Sequence, residues 1–189
     1  MYHHMKCLMG GYCYINSSAL AAELFSSHGK VAVLDVDYHH GNGTEDIFKR
    51  KQYGVKQPNV VTFSIHANPN RKFPYFTGDS TPLSTPLWRG VNYALETGIT
   101  NEQYRKVLSQ VLGRIDQLNV DFMVVPTGFD THENDPIGDF NITTDFYGTI
   151  GRMIMQLGKP TLFVQEGGYD LGSMKDNALS LIKGIESAL

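Results

Sequence analysis

Cysteine is nearly absent. The 189 residues hold two, Cys7 and Cys13, and they form no CxxC pair. That excludes a disulfide framework and a cysteine-rich structural zinc site, and makes a reducing cytoplasm the expected compartment. No apolar run approaches the length that spans a bilayer. The opening MYHHMKCLMGG has no apolar h-region of a secretion signal. Positive charge is not in excess: the formal net charge is -3, so the electrostatic footprint of a nucleic-acid binder is missing. There is no Walker-type glycine loop for phosphates, no internal repeat and no low-complexity segment. What is present, 41% hydrophobic and 19% charged residues, suits one soluble domain with a sizeable core.

Four apolar runs rich in β-formers stand out: VAVLD (31–35), VVTFSI (60–65), FMVVPT (122–127) and PTLFV (160–164). Near-continuous apolar runs are expected of strands buried on both faces of a parallel sheet. Between them, residues 16–27, 100–117, 144–157 and 174–189 read as helices. The second of these opens on a capping-box pattern, Thr100 with Gln103. Alternation of strands and helices predicts an α/β fold with a mostly parallel sheet flanked by helices. Residues 68–89, rich in Pro, Thr and Ser, form a loop long enough to be functional.

Ligands of open α/β sheets bind beyond the carboxyl ends of the strands. Here the first strand runs into Asp35, Asp37, His39 and His40, and the second ends at Ser64 and His66. The third leads to Asp130 and His132, and the fourth to Glu166, Gly167, Gly168 and Tyr169. Alternation along an extended segment turns Asp35, Asp37 and His39 one way and Val36 and Tyr38 the other. Carboxylates and an imidazole gathered on one side call for a positive ion. Asp37, His39 and Asp130 would make a two-carboxylate, one-histidine site with room for water, as catalytic zinc uses. DxDxHH alone is equally consistent with carboxylates that accept backbone hydrogen bonds beside a satisfied buried histidine. Magnesium would favour carboxylates and phosphates over imidazole. The Tyr169 hydroxyl, after two glycines, could donate to an oxyanion forming at such a metal. Gly10-Gly11-Tyr12 could bring a second aromatic to the same cavity. His66, His40 and His28 read as packing, supporting and solvated residues, while His132 could face the cavity.

GGYCYIN (10–16), LDVDYHHGNGTEDIF (34–48), TFSIH (62–66), GFDTHENDP (128–136) and EGGY (166–169) together resemble the histone deacetylase and acetylpolyamine amidohydrolase family, of arginase-like α/β fold. The Glu166 form of the last motif looks closer to the bacterial acetylpolyamine amidohydrolases. The resemblance implies zinc on Asp37, His39 and Asp130, and Tyr169 as the group that polarises the acetyl carbonyl. It places Gly11, Tyr12 and Phe73 along the tunnel for the acylated amine. It assigns Asp35 to a buried potassium site, with Ser64 and the backbone carbonyls of Asp37, His39 and Ile65. Asn42 would support a catalytic histidine from behind. The general base is matched by His3 when no gap is set, or by His4 when one residue is taken as deleted, and an incidental start is a third reading.

The family carries a long segment before this point, which supplies its first strands and much of its tunnel. On the resemblance, residues 1–189 are expected to be the carboxyl-terminal part of a single deacetylase-like catalytic domain. The expected activity is zinc-dependent hydrolysis of N-acetylated amines, either acetylpolyamines or acetyl-lysine. The alternative is a chain that keeps its metal ligands but lacks a competent base. A binuclear manganese ureohydrolase of the same fold would need further carboxylates around the site. The expected partners are a small acetylated substrate and, as an option, a second copy in a homodimer, with neither nucleic acid nor membrane.

Overall fold

The computed structural model describes residues 9–51, 59–81 and 90–189, except the side chains of 50 and 51. His3, His4 and Cys7 lie outside the described residues, as do residues 82–89 of the long loop. The described residues form strands β1 (Val31–Asp35), β2 (Val60–Ala67), β3 (Val91–Leu95), β4 (Phe122–Thr127) and β5 (Thr161–Gln165). The helices are α1 (Ser17–Ser26), α2 (Asn42–Lys51), α3 (Asn101–Gln117), α4 (Thr144–Met155) and α5 (Met174–Glu186). All four strand pairings are parallel, in the order β3-β2-β1-β4-β5.

Residue parity along the strands decides which layer each side chain joins. Ala32, Leu34, Val61, Phe63, Met123 and Val125 enter the larger core, packed with Tyr104, Leu108 and Ile115 of α3 and Phe146 and Ile150 of α4. Val31, Val33, Val60 and Val124 face the other way, onto Ala19 and Ala22 of α1 and Phe48 of α2. The sheet is therefore a middle layer, buried on both sides where β1, β2 and β4 run. β5 departs from the expected double burial and is half-exposed along its length. Helix starts follow the sequence. Asn16 Oδ1 accepts the Ala19 N–H at 2.7 Å, and Gln103 Oε1 accepts the Thr100 N–H at 2.9 Å.

Two elements go beyond the sequence reading: α2, within LDVDYHHGNGTEDIF, and β3 at one sheet edge. They set the site. The chain moves outward from β1 to β2 to β3, then returns to place β4 on the other side of β1. That reversal opens a crevice between the carboxyl ends of β1 and β4. The ladder joining those strands pairs Val33 with Val124 at its end. Pro126, which has no N–H to continue it, sits just beyond and accepts the Val36 N–H at 2.9 Å.

Candidate metal centre and cavity

Asp37 and His39 follow β1, and Asp130 follows β4, so the three meet in that crevice. One ligand atom from each lies within 4.8 Å of the other two. Asp37 and Asp130 are fully buried and His39 is 7% exposed. The backbone orients the carboxylates. The His39 N–H donates to Asp37 Oδ1 at 2.9 Å, Gly167 N–H to Asp37 Oδ2 at 2.9 Å, and Tyr38 N–H to Asp130 Oδ1 at 3.1 Å. The glycines of GFD and EGGY allow the close approach. A Cβ on Gly128 would strike the carboxylates of both aspartates, and one on Gly167 would strike Asp130.

The electrostatics point to a cation. His39 Nδ1 lies 3.3 Å from Asp37 Oδ1 and 2.9 Å from Asp130 Oδ2. Beyond that contact with the imidazole, Asp130 Oδ2 is buried with no further hydrogen-bond partner. Burial alone would lower the His39 imidazole, but the two carboxylates outweigh it and hold it up at about 9. Burial, with the charge of Asp37 beside it, raises Asp130 to about 7. A nitrogen and two carboxylates converging on one point form the donor set of a zinc-like ion, and an orphaned buried oxygen fits a ligand position. Zinc binding at pH 7.5 should release about one proton per ion, because a ligand histidine must be neutral. Calorimetry in buffers of different ionisation enthalpy checks this, and zero release would remove His39 from the ligand set.

Asp35 does not join the trio. Its Oδ1 turns back to accept the Asp37 N–H at 3.0 Å. The strand stops at Asp35, so simple alternation no longer carries it toward His39. Its Oδ2 is buried with no hydrogen-bond donor, and burial, then the Asp37 charge, raises its pKa well above the usual range. Ser64 is its register partner on β2, followed by Ile65, whose side chain belongs to the larger core. A second cation would satisfy that oxygen.

Beside the trio lies a cavity of about 350 Å³, lined by Gly11, Tyr12, His39, Phe73, Ile137 and Tyr169. Gly11 and Tyr12 both have left-handed backbones, at φ 57° and 64°, in a tight turn closed by Cys13 N–H to Gly10 O at 3.1 Å. The turn presents Tyr12 edge-on to Tyr169, with ring centroids 6.0 Å apart. Burial and the neighbouring carboxylates of Asp130 and Asp37 push the Tyr169 hydroxyl up, so it keeps its proton.

The other histidines have separate duties. His40 bonds Glu45 at 2.8 Å and Thr77 at 3.1 Å, and His66 bonds Ser64 and Gly78 O, each at 2.7 Å. His132 does not face the cavity as the sequence allowed. It is buried against the Tyr147 ring and bonds Thr144 at 3.2 Å. His28 is exposed beside Ser27. Asn42 is buried at the start of α2. Ile137 is a cavity residue that the sequence did not signal, since one isoleucine after a proline carries no period.

The histone deacetylase domain model matches residues 1–185. The chain belongs to the histone deacetylase domain family. It is 39% identical over 184 residues to acetylpolyamine amidohydrolase 1 of Pseudomonas aeruginosa, covering 95% of this chain and 51% of that protein. It is 32% identical to histone deacetylase 8 of Xenopus tropicalis, over 90% of this chain and 45% of that one. The crystal structure of acetylpolyamine aminohydrolase from Burkholderia pseudomallei superimposes with a TM-score of 0.86 at 33% identity, covering 95% of this chain and 52% of that chain. The deacetylase-like α/β fold expected from the motifs is thus the one found. The chain spans about half the length of the curated relatives it matches. No helix among the described residues is long and apolar enough to cross a membrane.

Proposed function

We propose that the chain carries the metal-binding half of a zinc-dependent amidohydrolase that removes acetyl groups from N-acetylated amines. The observation that carries this reading is the buried Asp37–His39–Asp130 trio opening onto a cavity edged by Tyr169. The relatives named for acetylpolyamines, at higher identity than the histone deacetylase, favour a small acetylated polyamine over acetyl-lysine. Asp37, His39 and Asp130 would hold zinc, which when bound lowers the pKa of its water and polarises an amide carbonyl. Tyr12, Phe73 and Ile137 would give the alkyl chain an apolar wall. The Tyr169 hydroxyl, kept protonated, donates to the oxyanion that develops on the acyl oxygen. Among the described histidines only His39 lines the cavity, so proton abstraction is left to His3 or His4, as the family resemblance has it. Asp35 and Ser64, with the Asp37, His39 and Ile65 carbonyls, would hold potassium against the back of the zinc ligands. Asn42 is the proposed support of the catalytic histidine, and a cytoplasmic setting suits the reading.

The test is zinc content together with deacetylation of acetylputrescine and of an acetyl-lysine peptide. Stoichiometric zinc with turnover of acetylputrescine is the expected result. Zinc without turnover would favour the second reading, a metal-binding but catalytically incompetent chain. That reading is supported by the match to about half the length of the relative. A chain that takes up no zinc would overturn the ligand assignment.

A further inference from the structure

Beyond Gly167 the peptide loses the support of the sheet. Glu166 N–H still bonds Thr127 O at 2.9 Å, and Phe129 N–H bonds Gly167 O at 2.8 Å. Gly168 then turns the chain with a φ of 135°, a conformation open to glycine. The next two N–H groups, those of Tyr169 and Asp170, both point at one buried carboxylate. Asp135 Oδ2 accepts them at 2.7 and 3.2 Å. Its Oδ1 accepts the N–H groups of Ile137 and Gly138 at 2.9 and 3.2 Å. Asp135 is 6% exposed and lies on a different loop from Tyr169.

We infer that Asp135 is a positioning residue for the reaction: it fixes Tyr169 and Ile137, two walls of the same cavity, at a set separation. The inference rests on the proposed role of the Tyr169 hydroxyl. Tyr169 follows a glycine in a conformation that many backbones could leave, and no strand neighbour holds it. A carboxylate accepting four N–H groups supplies charge-assisted bonds in place of a ladder. Neutral hydrogen bonds from a flexible loop would hold the hydroxyl less closely, and a displacement of about 1 Å at such a group costs about 100-fold in rate. Asp135 touches neither the metal ligands nor the cavity, so its influence on turnover must pass through the segments it ties.

Two measurements on the zinc-loaded chain test this. The first is amide hydrogen exchange. Asp135→Ala should speed exchange at Tyr169 and Asp170 by about tenfold or more, as expected for loss of a bond to a charged group, while β4 stays protected. Unchanged exchange at both amides would overturn the inference. If that variant does not fold, Asp135→Asn replaces it. An amide in place of the carboxylate must face a donor toward one of the two N–H pairs, so one pair should lose protection, and protection kept at all four would overturn the inference.

The second is a double-mutant comparison of turnover. Asp135→Ala should lower kcat about 100-fold with KM changed by less than about threefold, and should add little in a Tyr169→Phe background. An equal loss in both backgrounds would show that Asp135 does not act through the tyrosine. Should the chain hydrolyse no acetylated amine at all, the proposed function fails separately, and the exchange measurement still decides whether Asp135 holds Tyr169.

Discussion

Tyr169→Phe is expected to lower kcat by about 100- to 1,000-fold while leaving zinc stoichiometry unchanged. The two halves of that expectation come from different observations. The ring lines the cavity with His39, Tyr12 and Phe73, so the substitution keeps the wall and removes one hydroxyl. Asp37, His39 and Asp130 form the trio without it, so metal should stay. The size follows from the hydroxyl's state. Burial and two nearby carboxylates hold its proton on, so it serves as a donor at any working pH rather than as a base. A preorganised donor aimed at developing charge helps the transition state more than the bound substrate, so KM should move little. Steady-state turnover of acetylputrescine with elemental analysis of the same sample reads both quantities. Turnover within about threefold of the parent would take Tyr169 out of the mechanism, since uniform binding alone leaves kcat untouched.

How much of this could be read from the sequence follows from burial. β1, β2 and β4 are covered on both faces, so VAVLD, VVTFSI and FMVVPT are continuous apolar runs. β3 escapes because it is an edge strand of five residues, VNYAL, and Asn92 interrupts it to bond Glu45 at 2.8 Å. α2 begins Asn-Gly, which reads as a turn, and its sequence NGTEDIFKRK is mostly polar, with Ile47 and Phe48 its only apolar side chains. Its start is set from outside, where the Asn42 N–H bonds His40 O at 2.8 Å and the Glu45 N–H bonds Gly41 O at 3.0 Å. The convergence of Asp37, His39 and Asp130 was legible because strand ends placed ionisable groups where they become buried. Asp35 could not be separated from it by alternation, because that requires knowing where the strand bends. Asp135 was invisible for another reason: Asn-Asp-Pro reads as a turn, and its partners at 169 and 170 are brought to it only by the β4–β5 pairing.

Asp130→Asn should make the metal-free chain more stable at pH 8, by about 1–3 kcal/mol, and should abolish most of the stabilisation that zinc confers. Asp130 is raised from 3.8 to about 7, so its contribution is present below about pH 4 and lost as pH rises through 7. His39 is raised from 6.5 to about 9, so its contribution is present below 6.5 and lost as pH rises through 9. Metal-free stability should therefore fall between pH 6.5 and 9, and zinc should add most at the alkaline end, where its ligands are already deprotonated. The substitution removes one of two carboxylates facing a single imidazole. The introduced side-chain amide keeps an acceptor for the Tyr38 N–H. The remaining Asp37–His39 pair is balanced, which relieves a buried charge whose cost runs to about 1.4 kcal/mol per unit of pKa. Losing one of three ligands should weaken zinc at least about 100-fold, which removes about 2.7 kcal/mol of ligand-linked stability. Thermal melts with and without zinc at pH 6.5 and pH 8.5 measure all of this. An Asp130→Asn chain that is less stable without metal, yet still gains fully from zinc, would mean that the carboxylate serves the fold and not the ion.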